Sequence, residues 1–294
     1  MTSPLVSICI PTYQQPLYFR RTLDSIMCQS FADYEIVITD DSTDDSIEEI
    51  MKNVGHRHNL RYFRNGARQG SPENWNEAIR RASGKYIKIL HHDDWLSGEH
   101  SLASYVQMLE NNPDADFAFS STWVCNQVRG DRRLHRPSLD QIDQLRHAPD
   151  VLFANNIIGA PSATLFRRKV RQDFDIRLKW VVDIDFYIRL LHCNNRIVFC
   201  DEALVCTTDG APHQVTAESL GVKSVELFEW LYLYSKLYSH STRRFSSMQF
   251  IWRLLRQHRV YTLQQLIDCG VDFSLPSEIR FLLILRFLQS IYRK

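Results

Sequence analysis

The sequence predicts an α/β fold, a mostly parallel sheet with flanking helices followed by a helical C-terminal appendage. Three observations predict it. Short β-branched, apolar runs alternate with helical patterns through the first hundred residues, and such alternation implies parallel strands joined by crossover helices. These strands end on the polar clusters Thr12-Tyr13, Asp40-Asp41 and His91-His92-Asp93-Asp94, at the edge where ligands of such sheets gather. From about Glu218 the chain becomes aromatic-rich and helical, and from Arg243 onward nine arginines and lysines face only Asp268, Asp272 and Glu278. A soft boundary is therefore expected near residue 217, dividing the chain into 1–217 and 218–294.

Each element has its own signal. Val6 to Ile10 is a buried-strand run that Pro11-Thr-Tyr13 ends. From Pro16 to about Gln29, Leu17, Arg20, Leu23, Ile26 and Met27 recur near helical spacing. Glu35 to Thr39 is the second strand, and Thr43 or Asp44 is placed to cap the next helix, which carries Ile47, Ile50 and Met51. Leu60 to Phe63 is a short strand; a helix follows from Pro72 to Ser83, with Gly84 expected to close it. Lys85 to Leu90 is the fourth strand. A helix near Leu102 to Leu109 and a strand at Phe117 to Ser121 come next, Val128 to Asp150 reads as polar and irregular, and a helix at Ile184 to Leu191 precedes a strand at Ile197 to Cys206.

Composition narrows the classes. Hydrophobic content of 44% and charged content of 23% are ordinary for a globular protein. A net charge of +1 gives no overall field, so anions would be held by local sites and no nucleic-acid partner is expected. No run reaches the roughly 18 apolar residues of a spanning helix, and the N-terminus lacks the pattern of a signal peptide. Seven scattered cysteines without a C-x-x-C pair argue against a disulfide framework or a zinc site and favour free thiols in a reducing cytoplasm. The absence of G-x-x-x-x-G-K-[ST] and G-x-G-x-x-G disfavours an NTPase or a dinucleotide oxidoreductase.

With these residues in place, the sequence resembles the family 2 glycosyltransferases of GT-A fold, a Rossmann-like architecture. Val6-Ser-Ile-Cys-Ile-Pro-Thr-Tyr13 looks like that family's first strand and loop, and Glu35 to Asp44 like its second strand and acidic turn. Asn65-Gly66, Asn74, Asn76, Ala78 and Gly84 fit its next helix. The likeness covers roughly residues 5 to 210. Three positions depart from the pattern: Ser42 stands where glycine is common, His91-His92 precede the metal-motif aspartates where a small residue or Asp often stands, and Val182 replaces the usual acidic residue before Asp183-Ile-Asp185.

The resemblance implies an inverting glycosyltransferase using a nucleotide-sugar donor, a UDP-sugar favoured, with Mn²⁺ or Mg²⁺ as cofactor. It implies that Pro11, Thr12, Tyr13, Asp40, Asp41, Arg68 and Asp93 bind the nucleotide, Asp41 reading the base. A carboxylate suits that task because it accepts the imide N–H of uracil, or the N1–H and amino group of guanine; the plain alternative is a helix-capping acidic loop. The diphosphate leaving group needs a hard dication held by carboxylates. The resemblance selects Asp94 as the ligand, and an extended backbone would turn Asp93 the other way. His213 matches a family position at the metal or diphosphate, although a lone loop histidine is more often solvated. His91 and His92 suggest a softer-metal site only if further ligands cluster there; otherwise one of them, His92 among the site candidates, flanks the donor sugar. Single displacement needs one base, and Asp183 matches the family's base position, with Asp185 its rival and helix capping its plain alternative. Gly159 and Ser162 resemble the loop beside the acceptor, Ser162 reaching donor phosphate; Arg68, Arg167 and Arg168 are further candidates for the diphosphate.

Two rivals remain at this point. A sugar-1-phosphate nucleotidyltransferase would want a glycine-rich basic loop where Thr12-Tyr-Gln-Gln15 stands. A non-catalytic nucleotide-sugar-binding module has Val182 as its hint. The acceptor implied by family analogy is a surface polysaccharide or lipid-linked glycan, and the expected location is the cytoplasm, with peripheral placement on the inner face of the membrane as an option. A helix from Glu278 to about Tyr292, capped by Ser277, carries Ile284, Leu288, Ile291 and Tyr292 on one side and Arg286, Gln289 and Arg293 on the other. Its apolar side is expected to pack on Trp230, Tyr234, Leu237 and Trp252 or on a second subunit, the alternative being a membrane interface.

Overall fold

The computed structural model describes residues 3–55, 59–237 and 244–291, the side chains of 244–246 and 290–291 excepted. Three βα units and a fourth strand open the chain: β1 (Val6–Thr12), α1 (Pro16–Met27), β2 (Tyr34–Asp40), α2 (Ser46–Val54), β3 (Leu60–Arg64), α3 (Ser71–Arg81) and β4 (Tyr86–Ile89). Then follow β5 (Trp95–Leu96), α4 (Ser101–Glu110), β6 (Phe117–Asn126), β7 (Arg132–His135), α5 (Leu139–His147), β8 (Thr164–Arg167), α6 (Val182–Cys193) and β9 (Ile197–Asp209). The last helices are α7 (Val215–Ser219), α8 (Lys223–Leu237), α9 (Arg244–Gln257), α10 (Leu263–Ile267) and α11 (Ser277–Ile291).

One sheet runs β3-β2-β1-β4-β8-β6-β9-β5, with β7 on β6. The first four strands are parallel, β8 enters antiparallel between β4 and β6, and β9 returns parallel to β6. The pleat sorts side chains to two cores. Val6, Ile8 and Ile10 pack under α1, α2 and α4, while Cys9, Ile87, Ile89, Phe117 and Phe119 face α3, α6 and the C-terminal helices. Leu227, Trp230 and Leu231 of α8 share this second cluster with Val182 and Phe186 of α6, so residues on both sides of the expected boundary at 217 lie in one hydrophobic core.

Local differences have local causes. Along α1 the buried residues are Phe19, Thr22, Leu23 and Ile26, whereas Leu17, in the expected stripe, is exposed. Helix α3 stops at Arg81, and Gly84 serves close approach instead of closure: a Cβ there would stand 2.6 Å from the Ser7 backbone nitrogen. The segment from Val128 to Asp150, read as irregular, contains β7 and α5. Helix α5 begins at a capping box of Ser138 and Gln141, an S-x-x-Q signal present in the sequence.

In α11 the burial departs from the expected pattern, although Gln289 is exposed as expected. Ile279, Leu282, Leu283 and Arg286 are buried, while Phe281, Ile284, Leu285, Phe287 and Leu288 are exposed. Arg286, expected on the polar side, lies over the Tyr261 ring at 4.6 Å and 5.7 Å from that of Trp252. Ile291, Tyr292, Arg293 and Arg243 have side chains outside the described residues. No helix among the described residues is long and apolar enough to cross a membrane.

Candidate active site

The carboxyl ends of β1 and β2 are tied together by polar side chains. Asp40 Oδ1 accepts from the Thr12 hydroxyl (3.0 Å) and the Ser42 backbone (2.9 Å), and Oδ2 from the Tyr62 hydroxyl (2.6 Å). Asp40 is thus a buried brace of the sheet edge. Asp41 is engaged differently from a free base reader. Its two oxygens accept from Asn65 Nδ2 (2.7 Å), Gln69 N (3.0 Å to each) and Gly70 N (2.8 Å), which uses the lone pairs of the carboxylate in this structure. This clamp fixes the 65–70 loop, whose Arg68 guanidinium lies 4.3 Å over the Tyr13 ring. Beside them Gln14 and Gln15 adopt φ values of 54° and 60°, a region costly for non-glycine residues. The Ser42 hydroxyl accepts the Gln14 N–H at 2.7 Å, so the serine that departs from the family pattern supports this strained turn.

Residues 91–94 form a turn closed by Asp94 N–H to His91 C=O (3.0 Å). The backbone is not extended there, and the side chains converge: donor atoms of His91, Asp93 and Asp94 lie within 4.8 Å of one another. Asp94 Oδ1 accepts from Thr208 N (2.9 Å), and the carboxylate also takes the Ser162 hydroxyl, whose oxygen accepts from His91 N (3.0 Å). Ser162 is fully buried and its hydroxyl is engaged with Asp94. His213 Nε2 meets Asp93 Oδ2 at 3.1 Å, so it reaches the cluster through Asp93, and the His92 ring lies 5.9 Å from that of His213. Beneath them Lys88 is fully buried, its Nζ donating to the carbonyls of Ser162 and Thr164 and lying 4.1 Å over Tyr105. A lone lysine within the apolar run Tyr86-Ile-Lys-Ile-Leu90 was the available signal for it.

The electrostatics fit a dication. Burial and the adjacent Asp93 push the Asp94 carboxyl well above the carboxylate range. Burial also opposes ionisation of Asp93, but the His213 hydrogen bond and the neighbouring imidazoles hold it low. Burial pushes His91 down to about 4, so its ring is neutral and available as a ligand, and its Nε2 is a buried nitrogen with no hydrogen-bond partner. Two carboxylates and an imidazole form a donor set for a divalent cation, the clustered imidazole making it softer than an all-oxygen site.

Two cavities meet beside this turn. A cleft of about 290 Å³ is lined by Pro11, Trp75, His91, Asp94, Asp183 and His213 among others. A second, of about 490 Å³, is lined by Arg133, Asn156, Gly159, Trp180, Asp183 and Trp230 among others. Asp183 and Trp180 belong to both. Asp183 lies in the first turn of α6, its Oδ2 accepting from Asn156 Nδ2 at 2.9 Å. Asn156 Oδ1 in turn accepts from Gly159 N at 3.0 Å, and Gly159 has φ 91°, which favours glycine. Burial raises the Asp183 carboxyl to about 7.

Other candidates fall outside. Asp185 is fully buried and paired with Arg189 (2.8 Å) and Lys236 (2.8 Å), lining neither cavity. Arg167 is buried against the Ala115 and Leu109 carbonyls, and Arg168 binds the Gly84 carbonyl, so both brace the fold away from the cleft. Val182 packs in the core and also lines the first cleft beside Asp183. Sequence reading missed Asn156, Trp180 and Lys88, because what matters at these positions is which distant group each one faces.

A curled mixed sheet with a carboxylate turn at the end of its parallel half defines a glycosyltransferase fold of GT-A type. Staphylococcus aureus TarS (residues 1–349, in complex with UDP-GlcNAc) superposes with a TM-score of 0.68 at 19% identity, covering 98% of this chain and 87% of that one. The mannosyltransferase PcManGT from Pyrobaculum calidifontis, in complex with GDP-Man and Mn²⁺, gives 0.63 at 15% identity over 100% and 89%. Residues 7–174 match the glycosyl transferase family 2, and the chain belongs to that family. WcaA of Escherichia coli K12, named as a glycosyl transferase of colanic acid biosynthesis, is 27% identical over 193 residues, 64% of this chain and 67% of that one. The first curated relatives it matches are spanned over 60 to 71% of their length.

Proposed function

We propose that the protein is a metal-dependent, inverting glycosyltransferase that moves a sugar, a hexose by family analogy, from a nucleotide diphosphate donor to an acceptor hydroxyl. The observation that carries this reading is Asp183, a half-buried carboxyl raised to about 7 by desolvation, which lines two cavities, one of which contains the Asp93–Asp94 turn. One base between a donor cleft and an acceptor cleft is what single displacement requires. Asp94, Asp93 and His91 would hold the dication, which supplies charge neutralisation for the leaving diphosphate. His213 orients Asp93. The donor's nucleobase would lie against Tyr13 and Arg68, with Asp41 acting through the loop that carries Arg68. The WcaA relative supports a glycan acceptor in surface polysaccharide assembly.

Thermal shift with UDP-, GDP- and dTDP-sugars, with and without Mn²⁺, tests the donor assignment. A UDP-sugar at about 100 times its Kd is expected to add about 2.7 kcal/mol and raise Tm by several degrees, with the larger rise in Mn²⁺. No shift with any nucleotide sugar in either condition sinks the reading. Product configuration read by NMR separates inversion from retention.

We place the protein in the cytoplasm, where its seven free cysteines suit a reducing medium, at the anionic inner face of the membrane. The support is the outward row of Phe281, Ile284, Leu285 and Leu288 on α11, with Leu263 of α10 and the cationic Arg280 lining the groove beside it. Intact protein is expected to co-sediment with phosphatidylserine vesicles at low salt, and Phe281→Ser/Ile284→Ser to release it. Failure of the wild type to sediment removes this placement.

A further inference from the structure

The buried carboxylate of Glu229, on α8, accepts three successive backbone N–H groups: Lys179 at 3.0 Å, Trp180 at 2.8 Å and Val181 at 2.9 Å. Val181 is the residue from which α6 starts, and it has no side-chain cap of its own. A negative group at this end also suits the helix dipole. Trp180 forms a wall of both cavities, and Asp183 follows two residues beyond the clamp. A surface loop would leave these N–H groups to water; here a carboxylate from the C-terminal helices takes all three, which fixes the segment's rotation and height.

We infer that Glu229 is a positioning residue for the transfer reaction, setting from α8 the backbone that holds Trp180 between the cavities and delivers Asp183 to them. This rests on Asp183 being the base. The groups facing Asp183 are the Asn156 amide, the Ile184 N–H, Glu229 and Tyr187. Among them Glu229 is the second negative charge, and it adds to the burial that raises Asp183. Burial raises Glu229 as well, opposed by its three N–H bonds and Lys179. The C-terminal helices are thereby part of the catalytic apparatus and more than an attachment to it.

The test is steady-state transfer across pH by the full chain carrying Glu229→Gln, Glu229→Asp or Asp183→Asn. Glu229→Gln removes the charge and turns an amide N–H toward the peptide donors. We expect kcat to fall by about 10- to 100-fold, the scale of a misplacement near 1 Å, with donor KM within about twofold. The acid limb should move to lower pH, because a neighbour that raised Asp183 is gone. Glu229→Asp keeps the charge but is one methylene short, so kcat should fall with the acid limb unmoved. A folded Glu229→Gln protein with wild-type kcat and an unmoved limb overturns the inference. If Glu229→Gln does not fold, wild-type kcat in Glu229→Asp overturns it equally. Asp183→Asn separates the two readings: full turnover there removes the base assignment itself, whereas loss of turnover there with an indifferent Glu229 removes only the positioning role.

Discussion

Asp94→Asn is expected to abolish metal-assisted transfer, by about 10³-fold or more, while the metal-free protein melts no lower than wild type. The first effect follows from the loss of several kcal/mol of leaving-group stabilisation when the dication loses its buried carboxylate. The second follows from linkage. In the fold the Asp94 carboxyl titrates above its ordinary value, through burial and the proximity of Asp93. An acid raised in this way costs stability once the pH exceeds its unfolded pKa, because the unfolded chain then ionises more readily than the folded one. A neutral isostere removes that cost at neutral pH, and its carbonyl oxygen can still accept the Thr208 N–H. The Mn²⁺-induced rise in Tm should disappear with the activity. Melting curves and turnover in the same buffers check all three statements. Near-wild-type turnover with unchanged metal dependence would remove Asp94 from the metal site.

Asp183→Asn preserves shape and removes the proton acceptor, so turnover should fall by about 10²- to 10⁴-fold with donor affinity unchanged. The wild-type enzyme should lose activity as pH falls through about 7, since protonated Asp183 cannot take the acceptor proton. That limb should be absent from the residual activity of the variant. Unaltered turnover would refute the assignment, and Asp185 would not be the substitute, because Arg189 and Lys236 hold both of its oxygens.

The parallel half of the fold was legible because β1, β2 and β4 are short, mostly apolar runs buried on both faces and bounded by turn residues, with the half-buried β3 at the edge. The second half was less so. β8 and β5 are short, and the sheet between β4 and β9 is mixed, so pairing there depends on long-range partners that local periodicity does not encode. Capping at Ser138 was legible and went unread. In α11 periodicity marked two faces, but which one packs depended on the shape that α9 and the residues after it present to the helix. A guanidinium, with its long apolar stem, was buried against Trp252 and Tyr261 while Ile284 and Leu288 were left outside.

By itself the sequence determined which residue types stand at the ends of β1, β2 and β4, because strand ends follow from local apolar runs and the residues that stop them. That was enough to place the Asp40-Asp41 and Asp93-Asp94 carboxylates at one edge of the sheet. What each carboxylate does was decided by tertiary structure. Asp40 is a brace and Asp41 a loop clamp because Thr12, Tyr62, Gln69 and Gly70 come to them. Asp183 lies between two cavities, while Asp185, two residues later, is neutralised in the core. The physical reason is that a carboxylate's function depends on its desolvation and its hydrogen-bond partners, and partners such as Tyr62, Asn156 and Thr208 come from distant parts of the chain.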